Sequence, residues 1–242
     1  MADTIAIKIA IGAILALILL LFAVPKLFGR AARIRRKLRA TKQCAIGNLA
    51  NAARGPRRIA GMVVAVGDPL IAPLTGRACV SYETQVVRAV GLGLDWDIKF
   101  QVVLEKRCVP FLIDDGTGSV VVDTAHAELL LGTDVDRWSS ERDADAAAEN
   151  AAAENAFLAR FGQRRRGLLF EKRLHFTESI IEVGERIAVM GVPVHEPEPS
   201  TSSDSPYREY PTEPSRPRMA RSSRSALVVT DDLKFAPPLD DE

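Results

Sequence analysis

The sequence predicts an N-terminal transmembrane α-helix followed by a mainly-β domain, a small antiparallel barrel or sandwich (OB-like) with one Ala-rich helical insertion. Three observations lead to this prediction. Residues 5–28 form an apolar run, residues 58–124 hold alternating segments separated by turn signals, and residues 141–161 are rich in alanine. The chain has 242 residues, of which 47% are hydrophobic, so it can form one medium-sized core with accessory segments.

The apolar run IAIKIAIGAILALILLLFAVPKLF is long enough to cross a bilayer. A helix needs about 20 apolar residues to span the hydrocarbon layer, and residues 5–28 supply them. A cleaved signal peptide is the alternative, but no A-x-A site follows the run and a dense basic cluster does. We therefore expect a transmembrane helix over 5–28, with a short tail, residues 1–4, on the outer side.

The charges are strongly segregated along the chain, although the formal net charge is only +1. Residues 1–58 hold twelve Lys or Arg and one acidic residue, and the remainder holds 20 basic and 30 acidic residues. Basic residues next to a span stay on the cytoplasmic side, so we expect a basic juxtamembrane stem, residues 29–57, and a cytoplasmic body at the bacterial inner membrane.

The stem is also the predicted contact with the membrane. Anionic lipid is its expected partner and nucleic acid is not, because the cluster adjoins a membrane span. A topology signal without specific lipid recognition explains it equally well. The expected membrane-contact residues are Lys26, Arg30, Arg33, Arg35, Arg36, Lys37 and Arg39.

Five strands are predicted between residues 58 and 124, connected as an antiparallel meander. Their sequences are RIAGMVVAV, ACVSYETQVVR, WDIKFQVVLEK, PFLIDD and SVVVDT. Period-two alternation places one set of side chains on a common face of the second strand and another on a common face of the third. These sets are Val80, Tyr82, Thr84 and Val86, and then Trp96, Ile98, Phe100 and Val102.

The β-rich domain is predicted to extend over residues 58–191. The Ala-rich helix at 141–161 is expected to be a solvated insertion or a cap on the barrel, packing through Phe157, Leu158 and Phe161. Strands resume in GLLFEKRLHFTESIIEV and ERIAVMG, joined by a tight turn at VGE. Residues 192–225 are Pro- and Ser-rich and predict a disordered loop, and residues 226–242 predict a closing strand, SALVVTDD, with an acidic tail.

The stretch FLIDDGTGSVVVDT holds the most obvious candidates for chemistry, Asp114 and Asp115. Adjacent strand residues point to opposite faces, and the stretch does not match an EF-hand calcium loop. The D-G-T-G sequence favours a structural hairpin corner instead. Three scattered cysteines indicate a reducing compartment and show no zinc-ligand spacing. We expect no catalytic residues, no metal and no cofactor, and therefore not an enzyme.

The order of motifs resembles that of the GIDE family, the "beside-a-membrane" domain of membrane-anchored E3 ubiquitin ligases. The motifs are Gly61, APLTGRACVSYE, VPFLIDDGTGSVVVD and E-x-G-E-R-I-x-V-x-G, preceded by an apolar span. The resemblance implies a domain that binds a protein partner near the bilayer, with structural and binding roles for a set of motif residues. These are Gly76, Cys79, Tyr82, Phe111, Asp114, Asp115, Gly116, Gly118, Glu182, Gly184 and Gly191.

The chain departs from the ligases where their activity lies. Ligases of this kind carry a RING finger, yet no cysteine follows Cys108, and no second apolar span follows residue 28. The expected function is thus a single-pass, membrane-anchored cytoplasmic binding or adaptor domain without ligase activity, its oligomeric state left open. The alternatives are a membrane-lipid or stress sensor that uses the stem, and a membrane-associated hydrolase that uses Asp114, Asp115 and His126.

Overall fold

A computed structural model describes residues 29–51, 55–91, 97–122, 124, 127–139, 147–166, 172–194, 217–222 and 225–237. The chain forms two compact units, Met1–Lys42 and Gln43–Glu242. The described helices are α1 (Arg30–Ala40), the 3₁₀ helix η1 (Ile46–Asn51) and α2 (Ala147–Arg160). The described strands are β1 (Arg57–Ala65), β2 (Leu70–Ile71), β3 (Ala78–Gly91), β4 (Asp97–Cys108), β5 (Phe111–Asp114), β6 (Ser119–Val122), β7 (Glu128–Leu130), β8 (Val135–Trp138), β9 (Arg173–Glu182), β10 (Arg186–Val194), β11 (Arg218–Ala220) and β12 (Val228–Thr230).

Helix α1 is made of Ala, Arg, Lys, Leu and one Ile, nearly all of them strong helix formers. It ends at Thr41, whose backbone N–H and hydroxyl both donate to the Lys37 carbonyl, at 3.0 and 2.9 Å. Ile34 and Leu38, four residues apart, are its buried pair. The predicted span at 5–28 and Lys26 lie outside the described residues. None of the described helices is long and apolar enough to cross a membrane.

Five neighbouring strands form a closed barrel in the second unit. The barrel order is β1, β5, β6, β11 and β10, and β10 returns to pair with β1. Strands β11 and β12 both pair antiparallel with β10, at its residues 192–194 and 188–190. They also pair with β6 and β7, respectively. The two short strands therefore act together as one interrupted closing strand, and the predicted closing segment SALVVTDD does enter the barrel.

The barrel is not purely antiparallel, which corrects one part of the predicted fold. Strand β11 runs parallel to β6, and β12 runs parallel to β7. The cause is the odd number of strands: when strand direction alternates around a closed ring of five, one neighbouring pair must point the same way. The remaining barrel pairs are antiparallel.

The predicted single meander is also wrong, because β3 and β4 leave the barrel. Strand β1 pairs directly with β5, and β3 and β4 form a long hairpin in a second sheet with β2, β9 and β8. The hairpin has an apolar face of its own, with Tyr82, Val86 and Val103 buried. That face is covered by α2, which buries Phe157 and Leu158 against it, while Phe161 is 41% exposed. The Ala-rich helix thus packs on the second sheet, through two of the three predicted residues.

Two segments assigned by sequence to the flanks belong to the barrel. Helix η1, inside the predicted stem, inserts Ile46 and Leu49 into the barrel core. Strand β10 continues to Val194, and β11 begins at Arg218, so both ends of the predicted disordered loop 192–225 are strands. Residues 195–216 of that loop lie outside the described residues. Three-residue strands such as β11 carry little periodic signal and depend on their neighbours for pairing.

A β-bulge changes the predicted face of β4. The pairing of β3 with β4 shifts register between Val86 and Val87, so alternation reverses at Val102. Val103 is buried as a result, whereas Ile98 and Phe100 are about half exposed. All four residues of the predicted face of β3 are buried, but Val80 lies in the barrel core and Val86 lies in the cluster that α2 covers.

Gly61 lies where β1 passes close to β5. A Cβ atom at this position would lie 2.7 Å from both the carbonyl carbon of Asp114 and Cγ2 of Ile113. Only glycine allows this approach without movement of the backbone. Gly61 therefore lies inside a continuous strand and permits the close approach of β1 to β5.

We expect Gly61→Ala to lower the free energy of unfolding by about 1–3 kcal/mol, because the added methyl overlaps backbone atoms of β5. Gly118→Ala is the matched control, since its Cβ would meet only ordinary contacts, the nearest at 3.4 Å to Ile46 Cγ2. Urea unfolding of both variants measures the difference. Equal stability of the two variants would contradict the proposed close approach.

Candidate functional site

A buried carboxylate fixes the loop between β2 and β3. Glu178 on β9 is fully buried, and its two oxygens accept hydrogen bonds from the backbone N–H groups of Leu74 and Thr75, each at 2.9 Å. The Thr84 hydroxyl donates a third bond at 2.8 Å. A buried carboxylate is tolerated only when it is hydrogen bonded in this way. Glu178 therefore holds the loop 72–77 against the second sheet.

The loop 72–77 satisfies its other donors internally. The Gly76 N–H donates to the Ala72 carbonyl at 2.9 Å, and the Ala72 N–H donates to the Arg77 carbonyl at 3.0 Å. Gly76 has a φ of +68°, a left-handed conformation that favours glycine. The sequence APLTGR, one of the quoted family motifs, is thus a rigid corner with a structural need for its glycine.

Arg77, at the end of this loop, links the loop to Asp134, which precedes β8, and to the end of β9. Its guanidinium forms ion pairs with Asp134 at 2.9 Å and with Glu182 at the end of β9. Asp134 also accepts the Ile180 N–H at 3.0 Å. The Arg77 side chain is 41% exposed, so these pairs orient the loop more than they stabilise the fold.

Two further carboxylates near this cluster are held in an unfavourable environment. Burial raises the pKa of Glu185 and of Asp231, and each also feels the negative charge of Asp134. Asp231 accepts a hydrogen bond from the Gly132 N–H at 2.7 Å, which partly offsets the rise. Their ionisation at neutral pH therefore opposes folding.

Helix α2 is attached to the second sheet by a buried ion pair network. Glu154, whose side chain is 4% exposed, pairs with Arg137 of β8 at 2.7 Å and with Arg165 at 3.1 Å. Near the helix end, Arg160 pairs with Glu105 of β4 at 2.6 Å. These contacts, together with the buried Phe157, all lie in the C-terminal half of α2.

The N-terminal half of α2 stands away from the loop 72–77 and leaves a cleft. The cleft has a volume of about 490 Å³, within the range of ligand-binding pockets. Ala153 is one of its walls, and its small side chain leaves the space open. We call this space the loop–helix cleft. Its walls are residues 73–77, Arg137, Glu149, Asn150 and Ala153.

The aspartates of the stretch FLIDDGTGSVVVDT serve the fold. Asp115 accepts hydrogen bonds from the N–H of Ile46 at 2.7 Å and from the N–H and hydroxyl of Thr117 at 2.9 and 2.7 Å. Asp114 accepts from the Gly116 N–H at 2.8 Å, and Gly116 has a φ of +85°. The two carboxylates therefore form a hairpin corner that also holds η1 at the barrel. The third residue of the hydrolase alternative, His126, lies outside the described residues.

The structure separates the predicted family residues into two regions. Gly76 and Glu182 lie at the Arg77 cluster, beside the loop–helix cleft, whereas the Asp114 corner lies at the barrel. The others have structural environments. Tyr82 is buried in the second sheet, and Phe111 is in the barrel core. Gly118 contacts η1, and Gly184 forms the β9–β10 turn with a φ of +85°. A Cβ atom at Gly191 would lie 2.7 Å from Cδ1 of Leu227, so the chain packs closely there.

Cys79 is buried and unreactive in character. Burial raises the pKa of its thiol to about 11, so it is protonated at neutral pH. Within the part of the chain that the structure describes, no group of three or more His, Cys, Asp or Glu side chains could hold a metal ion.

The residues that shape the cleft were missed by sequence reasoning. Glu178 had a readable signal: it occupies a position that alternation in β9 assigns to the buried face, where an acid needs partners. Glu154 and Arg137 had no such signal, because their pairing depends on how α2 packs across β8.

Predicted membrane-contact residues in the first unit are exposed on α1. They are Arg30, Arg33, Arg35, Arg36, Lys37 and Arg39.

Comparison with known proteins gives no match for the chain among protein-family models, curated proteins or solved structures.

We expect Glu178→Gln to lower the free energy of unfolding by about 1–3 kcal/mol, because the amide presents a donor to groups that also donate. Backbone hydrogen exchange over residues 72–77 should accelerate as well. Glu83→Gln is the control, since Glu83 forms an exposed pair with Lys106 at 3.2 Å and should change stability little. An unchanged exchange rate in the loop would contradict the role assigned to Glu178.

Asp231→Asn should change how stability depends on pH. Burial raises the pKa of Asp231 in the folded state above its unfolded-state value. The Asp231 carboxyl therefore contributes most to the free energy of unfolding when it is protonated, below the unfolded-state pKa, and this contribution is lost as the pH rises through the folded-state pKa. The asparagine variant lacks this loss and still accepts from Gly132. Its melting temperature relative to wild type should rise between acidic and neutral pH, whereas a constant difference would contradict the assignment.

Proposed function

We propose that the chain is a membrane-attached, non-enzymatic binding protein, whose body takes up a segment of a partner protein in the loop–helix cleft. The observation that carries this proposal is the cleft itself. It is large enough to take several side chains, and its walls combine apolar groups with the charged Arg77, Arg137 and Glu149.

The walls of the cleft are held by independent anchors, which suits recognition of a defined ligand. Glu178 holds the loop on one side and Glu154 holds α2 on the other. A site held in this way loses little conformational entropy when it binds. An extended polypeptide segment matches a cleft that is open at the surface and has hydrogen-bonding groups on both walls.

The resemblance to the GIDE family supports the same function and stays a prediction. One of its quoted motifs, APLTGRACVSYE, supplies the residues 73–77 that form a wall of the cleft. We assign the barrel to the OB type, because five strands closed in this order, with one parallel pair, form a Greek-key barrel. The membrane attachment rests on the apolar run at 5–28.

The hydrolase alternative receives less support than binding. Asp114 and Asp115 accept hydrogen bonds from backbone N–H groups of the corner they form. Carboxylates used in this way are poorly placed to exchange protons with a substrate.

The test is to fill the cleft without disturbing the fold. Ala153→Phe should abolish partner binding by occupying the space between α2 and the loop. Ala152→Phe is the matched control, because Ala152 is exposed on another side of the same helix turn. The full chain and both variants serve as bait in native membranes, with captured proteins quantified by mass spectrometry and folding checked by urea unfolding.

A partner captured by the wild type and by Ala152→Phe, and reduced about tenfold or more by Ala153→Phe, would support the proposal, since that loss corresponds to about 1.4 kcal/mol or more. Equal capture by both variants would place the binding surface elsewhere. Failure of the wild type to capture any protein above a bait-free control would overturn the adaptor function.

A further inference from the structure

The loop–helix cleft has a charged network beside one of its walls. Arg137, which is that wall, donates through Nε to Glu154 at 2.7 Å, and Arg165 pairs with the other oxygen of the same carboxylate at 3.1 Å. The Glu154 side chain is only 4% exposed. Two guanidinium groups therefore share one carboxylate, and the network keeps one net positive charge.

The Arg137 guanidinium has a donor that the protein does not use. A guanidinium carries five N–H groups, and Nη2 of Arg137 is buried without a hydrogen-bond partner among the described residues. A buried donor without an acceptor costs free energy. The Arg137 side chain is also 23% exposed and lines the cleft, so a ligand held there can contact the same guanidinium. A hydrogen-bond acceptor in the cleft would give Arg137 the further partner that the fold does not supply.

The other charged walls of the cleft leave Arg137 as the group that attracts a ligand. Arg77 already pairs with Asp134 and Glu182, neither of which is a wall. Glu149 is exposed, so solvent and salt screen its charge. Glu149 also lies in the first turn of α2, and the positive end of the helix dipole at that turn favours an anion. These surroundings favour a negatively charged ligand group over a neutral one.

We propose that the loop–helix cleft selects an acidic segment of the partner protein, with the carboxylate of an Asp or Glu side chain bound to Arg137. This inference rests on the proposed function, because it names the chemistry of the segment that the cleft takes up. A carboxylate accepts charge-assisted hydrogen bonds from a guanidinium, which are stronger than those to a main-chain carbonyl, and its single charge balances that of the network. A phosphorylated side chain, with a charge of about −1.5 to −2, exceeds it.

The probe is a library of random heptapeptides displayed on phage and presented to the full chain in mild detergent. Peptides that bind the wild type and Ala152→Phe, but not Ala153→Phe, depend on the cleft. The tightest of them is synthesised with its acidic residue kept, replaced by the corresponding amide, or replaced by phosphoserine. Fluorescence anisotropy then gives the dissociation constant of each form at about 0.1 M and about 0.5 M salt.

Two charge variants locate the interaction within the cleft. Arg137→Gln should abolish the difference in affinity between the acidic and the amide peptide, a comparison that cancels any general effect of the substitution. Glu149→Lys removes the opposing charge at an exposed position, so it should bind the acidic peptide about threefold or more tightly than wild type does. Asp68→Lys is the matched control, because Asp68 is exposed, is not a wall of the cleft and undergoes the same change of charge.

We expect Asp or Glu to be enriched among the cleft-dependent peptides, and the amide form to bind wild type at least about tenfold more weakly at low salt, with a smaller difference at high salt. Cleft-dependent peptides without this enrichment, or a tenfold preference that survives in Arg137→Gln, would overturn the inference and leave the proposed function standing. If urea unfolding shows that Arg137→Gln does not fold, Glu149→Lys decides, and an affinity equal to that of Asp68→Lys overturns the inference. Tighter binding of the phosphoserine form would assign the cleft to a phosphorylated segment instead. If no peptide depends on the cleft, the proposed function fails together with the inference.

Discussion

Closure of a ring of five strands is the constraint on which the second unit depends. Strand β10 pairs along both edges, with β1 on one side and with β11 and β12 on the other. Strand direction cannot alternate all the way around a ring of five strands, so one neighbouring pair must be parallel. In this barrel β11 runs parallel to β6, and β12 runs parallel to β7. The segment that follows β10 completes the barrel, so the last strands contribute to its core as the first strand does. Val229 and Leu227 are fully buried for this reason.

The second sheet carries the loop 72–77 and α2, which line the loop–helix cleft. The turn between β9 and β10 connects this sheet to the barrel, with the Gly184 N–H donating to the Val63 carbonyl at 2.8 Å and the Val63 N–H donating to the Glu185 carbonyl at the same distance. From β9, Glu178 fixes the loop 72–77. The hydrophobic burial of Phe157 and Leu158 stabilises α2 on the second sheet. The ion pairs of Glu154 fix where the helix lies, since a buried ion pair adds more to geometry than to stability.

Much of the fold was readable from local pattern, and the failures have identifiable causes. Alternation located β1, β3, β4, β5 and β6, and alanine content located α2. Sequence pattern misplaced the partners of these strands, because pairing is a long-range property that periodicity does not encode. It also could not locate the bulge opposite Val86 and Val87, which inserts one residue at Val102 of β4 and reverses the faces from there on. The short strands β7 and β8 were not predicted: ELL of β7 has only three residues, and VDRW of β8 has two polar residues in its middle and no period-two alternation.

The sequence by itself determined the longer strands and α2, the hairpin corner at Asp114 and Asp115, and the basic character of the segment that forms α1. These follow from short-range chemistry: backbone preference, side-chain alternation, turn residues and net charge. Only the tertiary structure decided that β3 and β4 form a second sheet, that Glu178 and Glu154 are buried anchors, and that a cleft stays open beside Ala153. Each of these depends on residues distant in the chain, such as Leu74 and Glu178, being brought together by packing, and no local pattern carries that information.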